Sequence, residues 1–138
     1  MKIFDAIVIG AGPGGYPCAI RLAQEGKKVA IIEKDKWGGV CLNVGCIPSK
    51  ALIHASSQFH KMKHLDEMGI TVSSPKLDME KMQTWKGGVV KQLTQGVSGL
   101  LKMNGVTAIS GNAVFKDAHT LEIAGASGKE TITAKDIV

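Results

Sequence analysis

Residues 3–34 read IFDAIVIGAGPGGYPCAIRLAQEGKKVAIIEK: a hydrophobic run, a cluster of glycines, an amphipathic stretch and a second hydrophobic run. Residues 3–9 are apolar, rich in β-branched side chains and followed by glycine, which predicts a buried strand. Residues 16–25 carry Ala19, Ile20 and Ala23 at helical spacing, and Gly26 is placed to end that helix. Residues 28–32 form the second apolar run, closed by Glu33. Strand, turn, helix and strand within about 30 residues make a βαβ unit.

The turn, Gly10-Ala11-Gly12-Pro13-Gly14-Gly15, fits G-x-G-x-x-G at Gly10, Gly12 and Gly15. In that pattern the first glycine permits a tight turn, the second lets backbone approach a pyrophosphate, and the third lets the helix pack on the strand. The helix start offers unpaired N–H groups and partial positive charge to a phosphate. Glu33 lies about 18 residues beyond Gly15, near the ~20 at which an acid reaches ribose hydroxyls. The pattern alone is weak. With the strand before it, the helix after it and the acid in place, it predicts dinucleotide binding rather than a ligandless glycine turn. Pro13 and Pro17 fall where a missing N–H costs little.

A second motif, GGVCLNVGCIPSK, spans residues 38–50 and holds two of the chain's three cysteines, Cys41 and Cys46. Such a pair is a working disulfide, a metal site or two small buried residues. On an ideal helix the two would be separated by ~7.5 Å of rise and turned ~140° past one revolution. A disulfide needs Cα atoms ~4.4–6.8 Å apart with converging Cβ vectors, so closure requires a distorted segment, and Gly45 supplies the freedom. Pro48 suits the first turn of a following helix, which would put Cys46 at its N-terminus, a position that favours a thiolate. The metal reading is the weaker: a lone C-x4-C lacks a second cysteine pair, and His54, His60 and His64 are expected to be solvated. Cys18 is expected to be a small residue packed on the sheet.

Composition bounds the rest. A chain of 138 residues with 44% hydrophobic and 21% charged residues suits one globular domain. The net charge of +5 comes from scattered lysines, and aromatics are only 4%, so nucleic-acid binding gets little support. No run approaches the ~20 apolar residues of a membrane span, and the N-terminus does not read as a signal peptide. Three cysteines do not make a secreted disulfide framework, so a reducing, cytoplasmic setting is expected.

Downstream, residues 50–68 read as a helix capped by Gly69, and residues 70–72 as a short extended piece. Residues 78–104 read as a long helix with Met82, Trp85, Val89, Leu93, Val97, Leu100 and Leu101 on one side, as core or a subunit contact. Gly87, Gly88, Gly96 and Gly99 interrupt it, each costing up to ~1 kcal/mol against alanine, which suggests close approach by another helix or a ligand. Residues 106–109, 113–115, 120–123 and 131–133 read as short strands, with turns at 117–118 and 125–128: one strand returning to the parallel sheet, then a small meander.

The glycine loop and CLNVGCIPSKAL together resemble the flavoprotein disulfide reductases, of the class I pyridine nucleotide-disulfide oxidoreductase family, over essentially the whole chain. The wording is closest to the dihydrolipoamide dehydrogenase branch. Glutathione and mercuric reductases typically carry valine where Leu42 stands, and many members carry threonine where Val40 stands. The resemblance implies an α/β fold: a Rossmann-like FAD-binding domain with a parallel sheet, a helical hairpin and a small antiparallel meander. It implies that Cys41 is the thiol exchanging with a lipoyl disulfide, Cys46 the thiol facing the flavin, and Lys50 a cation beside the flavin ring. It implies an FAD site of Gly10, Gly12, Pro13, Gly14, Gly15, Glu33, Lys34, Gly39, Val40, Cys41, Cys46, Lys50 and main chain near Ala113.

It further implies NAD as co-substrate, a lipoyl-bearing protein of a 2-oxo acid dehydrogenase complex as partner, and a homodimer. The expected location is bacterial cytoplasm, or the mitochondrial matrix for a mature eukaryotic form. Residues 1–138 are expected to be the amino-terminal part of the FAD-binding domain, inactive or nearly so alone, without the NAD-binding and dimer-interface domains. The last residues are expected to lie inside a strand, leaving an unfinished sheet edge. A stand-alone flavin-binding or electron-carrier module, or another disulfide reductase such as a glutathione or mercuric reductase, is the alternative.

Overall fold

The computed structural model describes residues 2–126 and 128–138. The elements run β1 (Lys2–Ile9), α1 (Gly15–Gln24), β2 (Val29–Glu33), α2 (Gly39–Asn43), α3 (Cys46–Met62), α4 (Met79–Met103), β3 (Thr107–Ser110), β4 (Asn112–Asp117), β5 (Thr120–Gly125) and β6 (Gly128–Ile137). A 3₁₀ turn, Asp66–Met68, sits between α3 and α4.

One six-stranded sheet carries the fold, in the order β3-β2-β1-β6-β5-β4. Strands β3, β2, β1 and β6 run parallel, while β5 and β4 are antiparallel additions. The expected βαβ unit is present. β2 is nearly continuous burial because successive side chains serve opposite faces, both of them covered. Val29 and Ile31 join Val8, Ala19, Leu42, Val97 and Leu101 in a core under the helices. Ala30 and Ile32 join Ile7, Leu121, Ile123 and Ile132 on the other side.

The two edges of the sheet, β3 and β4, are separated in sequence by Gly111 alone. A sheet whose first and last strands meet at one residue has to curl, and the second core fills the inside of that curl. The corner is tight. A Cβ on Gly111 would lie 2.7 Å from the Ile123 side chain and 2.8 Å from the Ala124 carbonyl oxygen. The Gly111 N–H donates to the Glu33 carbonyl at 2.8 Å, tying the corner to the tip of β2.

Several expectations need correction. The helix read over 50–68, with Cys46 expected at its N-terminus, does begin at Cys46 but stops at Met62, short of Met68. Around its end Lys61, Met62, Lys63 and His64 are all exposed, so no packing holds the backbone helical. The chain turns through the 3₁₀ segment to Gly69, whose φ is +76°. Residues 70–72 form no strand.

Residues 131–133 and the terminal residues belong to one ten-residue strand, β6. Its first part pairs with β5 and its later part runs on beside β1, where Ile137 pairs with Ile7. Within this strand Lys135 pairs with Asp5 of β1, at 2.7 Å. The turn expected at 117–118 is present, while that over 125–128 includes Ser127, outside the described residues.

The long helix is α4, capped as its sequence suggests by Asp78, whose Oδ1 accepts from the Lys81 N–H at 3.0 Å. Its apolar stripe is only partly core. Val97 and Leu101 are buried, whereas Trp85, Leu93 and Leu100 are 41–47% exposed. Nothing lies within 4 Å of a Cβ built on Gly87, Gly88, Gly96 or Gly99, so no helix among the described residues makes the close approach expected at these glycines.

Candidate functional site: a glycine loop joined to a thiol pair

The three glycines of the loop do three different things. Gly10 has φ +98°, a conformation L side chains rarely adopt. A Cβ on Gly15 would meet the Gly10 carbonyl oxygen at 1.8 Å, so only glycine lets α1 start this close to β1. At Gly12 and Gly14 a Cβ would meet nothing within 4 Å. The Gly15 and Tyr16 N–H groups donate to the Gly12 carbonyl, at 3.0 and 3.1 Å, and the open space over Gly12 beside this helix start has the character of a pyrophosphate site.

Glu33 ends β2 and reaches back to the loop. Its Oε2 accepts from the Ala11 N–H and its Oε1 from the Asp35 N–H, each at 2.8 Å. Both oxygens are oriented by backbone, and each keeps a lone pair for another donor. The carboxylate borders a cleft of about 290 Å³ lined by Gly10, Glu33, Lys34, Gly111, Asn112 and Ala113 among others. A second cleft of about 240 Å³ continues past Glu33 and Lys34 to Gly39, Val40, Asn43 and Val44. The structure thus brings Gly10, Glu33, Lys34, Gly39, Val40 and Ala113 onto one track. The larger hollow of about 520 Å³, beside Lys2 and Glu130, contains none of these residues.

The thiol segment is docked directly on the loop. Gly39 has φ +63°, and a Cβ there would lie 2.7 Å from the Cα of Gly12. The Gly38 N–H donates to the Ala11 carbonyl at 3.0 Å. α2 then carries Cys41, half-buried against the helical core, and α3 begins at Cys46, which is exposed. Gly45 makes the break between the two helices, with φ −117° and ψ −113°, and a Cβ on it would crowd the Val40 carbonyl and the Cys41 Cα at 3.0 and 3.2 Å. That break supplies the distortion the spacing demanded.

Both cysteines are free thiols. Hydrogen bonding to the Cys46 side chain, then burial, then the charge of Cys46 hold the Cys41 thiol above its ordinary pKa. The Cys46 backbone N–H and the Lys50 ammonium pull the other way. Cys41 therefore holds its proton to a higher pH than an isolated thiol, and the stability this lends the fold is present below the ordinary thiol pKa and lost as pH rises through the raised value. Replacing Cys46 by alanine removes the side-chain partner and keeps the N–H and Lys50. The pH midpoint for alkylation of Cys41 by iodoacetamide is expected to fall. An unchanged midpoint would show that the two thiols do not interact.

Lys50 is exposed one turn along α3 from Cys46, on the same side. Cys18 is half-buried against the helical core, as its position on α1 suggests, and lies outside the thiol site.

Several residues that build the site escape a motif reading. Asn43 donates through Nδ2 to the Trp37 carbonyl at 3.0 Å and the Gly39 carbonyl at 2.8 Å. It ties the end of α2 to the first residue of that helix and to Trp37 in the loop just before it. Asn43→Ala is expected to cost ~1–3 kcal/mol in thermal or urea unfolding, from two lost hydrogen bonds. A change below ~0.5 kcal/mol would make the staple ornamental. Gly111 and Asn112 were equally invisible, because they reach the cleft from a strand some 80 residues away in sequence. The signal for Asn43 was its place between the two cysteines.

The family model for pyridine nucleotide-disulphide oxidoreductases matches residues 4–138. The dihydrolipoyl dehydrogenase of Geobacillus stearothermophilus is 52% identical over 134 residues, which cover 97% of this chain and 28% of that protein. The dihydrolipoyl dehydrogenase of Haloferax volcanii is 50% identical over 131 residues, covering 93% of this chain and 27% of that protein. Among solved structures, the Cu(II) complex of the HOCl-induced flavoprotein disulfide reductase RclA from Escherichia coli superposes with a TM-score of 0.81 at 29% identity, covering 99% of this chain and 28% of that one. The chain thus spans little more than a quarter of the length of these relatives.

Proposed function

Because the chain belongs to the pyridine nucleotide-disulphide oxidoreductase family, an oxidoreductase family, we propose that it is the FAD-binding, redox-disulfide segment of a dihydrolipoyl dehydrogenase. The observation that carries this reading is the seating of Gly39 on Gly12, which joins a dinucleotide loop to an interacting thiol pair in one rigid corner.

The residues fit FAD. Gly12, Gly14 and the start of α1 would take the pyrophosphate, Glu33 the ribose hydroxyls, and main chain at Ala113 the adenine end. Val40, Cys46 and Lys50 would face the ring system. When bound, the flavin supplies a two-electron acceptor that can pass a hydride to NAD.

The chain's own residues do the thiol chemistry. In the oxidised form, a dihydrolipoyl thiolate attacks Cys41 Sγ, the Cys41–Cys46 bond breaks and Cys46 leaves as a thiolate. The second substrate thiol, losing its proton, then attacks the mixed disulfide at the lipoyl sulfur. Lipoamide forms and Cys41 departs as a thiolate, which takes up a proton. Two electrons have moved from substrate to the cysteine pair. The raised pKa of Cys41 suits its role as the group that recovers that proton. Lys50 would supply the positive charge near the pair.

NAD as final acceptor, a lipoyl-bearing protein of a 2-oxo acid dehydrogenase complex as partner, and a homodimer are proposed for the protein at the length of its relatives. Residues 1–138 are proposed as the amino-terminal part of its FAD-binding domain, inactive or nearly so without the rest. A reducing, cytoplasmic setting suits a pair that must cycle between dithiol and disulfide.

The test is the visible spectrum of the purified chain supplied with FAD, before and after anaerobic dihydrolipoamide. A bound-flavin spectrum that gains long-wavelength absorbance with dithiol supports the reading. Bound flavin that ignores dithiol would refute the roles of Cys41 and Cys46. No bound flavin would refute a self-sufficient FAD site in these residues.

A further inference from the structure

His60 lies in the last turn of α3 and His64 in the turn that follows it, and both side chains are exposed. Their ring centroids are 4.6 Å apart with the planes inclined at 53°. That separation has a chemical meaning. With metal–nitrogen bonds of ~2.0–2.1 Å and a ring nitrogen about 1.1 Å from its centroid, two imidazoles on one ion have centroids ~4.5 Å apart at a right angle and ~5.1 Å apart at a tetrahedral angle. The observed value matches the right-angled case.

We propose that His60 and His64 form a two-imidazole chelate for a first-row divalent cation that accepts right-angled nitrogen ligands, of the nickel(II) or copper(II) class, with water completing the shell. Two further observations agree. His60 and His64 stand at i and i+4, the spacing used by helical metal ligands, with His60 in the last turn of α3 and His64 in the turn that continues it. The neighbouring Lys63 ammonium is drawn aside over the Phe59 ring, 5.0 Å from its centroid, on a different strip.

Among the described residues no group of three or more His, Cys, Asp or Glu side chains could hold a metal, so this is an exchangeable two-ligand site and not a structural centre. It is also separate from the thiols. Cys46 starts α3, and at 1.5 Å per residue His60 lies ~20 Å further along the same helix. Occupancy would clip the last helical turn to the turn leaving it, which fixes the end of α3 where packing has run out.

The experiment is calorimetric titration of nickel(II) chloride, in a non-coordinating buffer, into the unaltered chain, His60→Gln, His64→Gln, the double variant and Cys41→Ser. The expected result is one ion per chain, at least tenfold weaker binding in each histidine variant, no further loss in the double variant, and no change in Cys41→Ser. A thermal midpoint raised by nickel in the parent, and unmoved in the histidine variants, is expected alongside. The proposal is overturned if the parent binds no nickel or if either histidine variant binds as tightly as the parent. It is equally overturned if the loss adds up independently across the two histidines, or if Cys41→Ser alone abolishes binding.

Discussion

Gly15→Ala is expected to lower the thermal midpoint by about 10 °C or more and to prevent flavin binding, while Gly12→Ala is expected to prevent flavin binding with little change in the midpoint. The two substitutions add the same methyl group within six residues of the same strand end, and their environments decide the outcome. At Gly15 the new Cβ would sit 1.8 Å from the Gly10 carbonyl oxygen and 3.5 Å from a Val8 methyl. Backbone oxygen cannot rotate away, so α1 must move off β1. Overpacking of this kind costs ~1–3 kcal/mol and more when backbone must shift, and ~3 kcal/mol in a domain of this size is about 10 °C. At Gly12 the Cβ would meet no heavy atom within 4 Å, so the free protein has no reason to notice. The methyl would project into the space that suits a pyrophosphate. Differential scanning fluorimetry and FAD titration on both variants check this. Equal destabilisation by the two would mean that the open space at Gly12 is not a ligand site.

Cys46→Ser is expected to abolish the response of bound flavin to dihydrolipoamide, a loss of roughly 10³-fold or more, because in the proposed exchange the two cysteines act as one unit. Cys41→Ser is expected to do the same by removing the sulfur proposed to take the substrate's attack. Cys18→Ser is the control: Cys18 packs against the helical core and stands outside the pair, so the flavin response should survive. The thermal midpoint of Cys46→Ser should be close to that of the parent, since Cys46 is exposed and serine keeps the N–H at the start of α3. Anaerobic stopped-flow absorbance separates the cases. A Cys46→Ser protein that still passed electrons from dithiol to flavin would remove the disulfide from the proposed chemistry.

The glycine loop, its flanking strand and helix, and the pairing of Cys41 with a helix starting at Cys46 were legible because each depends on neighbours in sequence. Pro48 marks a helix start, Gly45 a break before it, and β-branched runs mark strands whether or not their partners are known. The end of α3 was not legible, since residues 61–64 are not poor helix formers. What they lack is anything to pack against. The course of β6 was hidden for a related reason. Residues 134–136 fall between the two strand readings, at 131–133 and at the terminal residues, yet one strand continues through them because β1 lies alongside to take its hydrogen bonds and Asp5 is opposite Lys135.

The sequence by itself determined the βαβ unit, a glycine loop of the dinucleotide-binding pattern and the close pair of cysteines, all from patterns spanning a few helical turns. Only the tertiary structure decided that the sheet curls until Gly111, Asn112 and Ala113 face Glu33, and that Gly39 rests on Gly12. These are approaches of a few ångströms between segments distant along the chain. Local periodicity carries no record of them, because they are set by which surfaces must be buried together and which backbone groups find partners when they are.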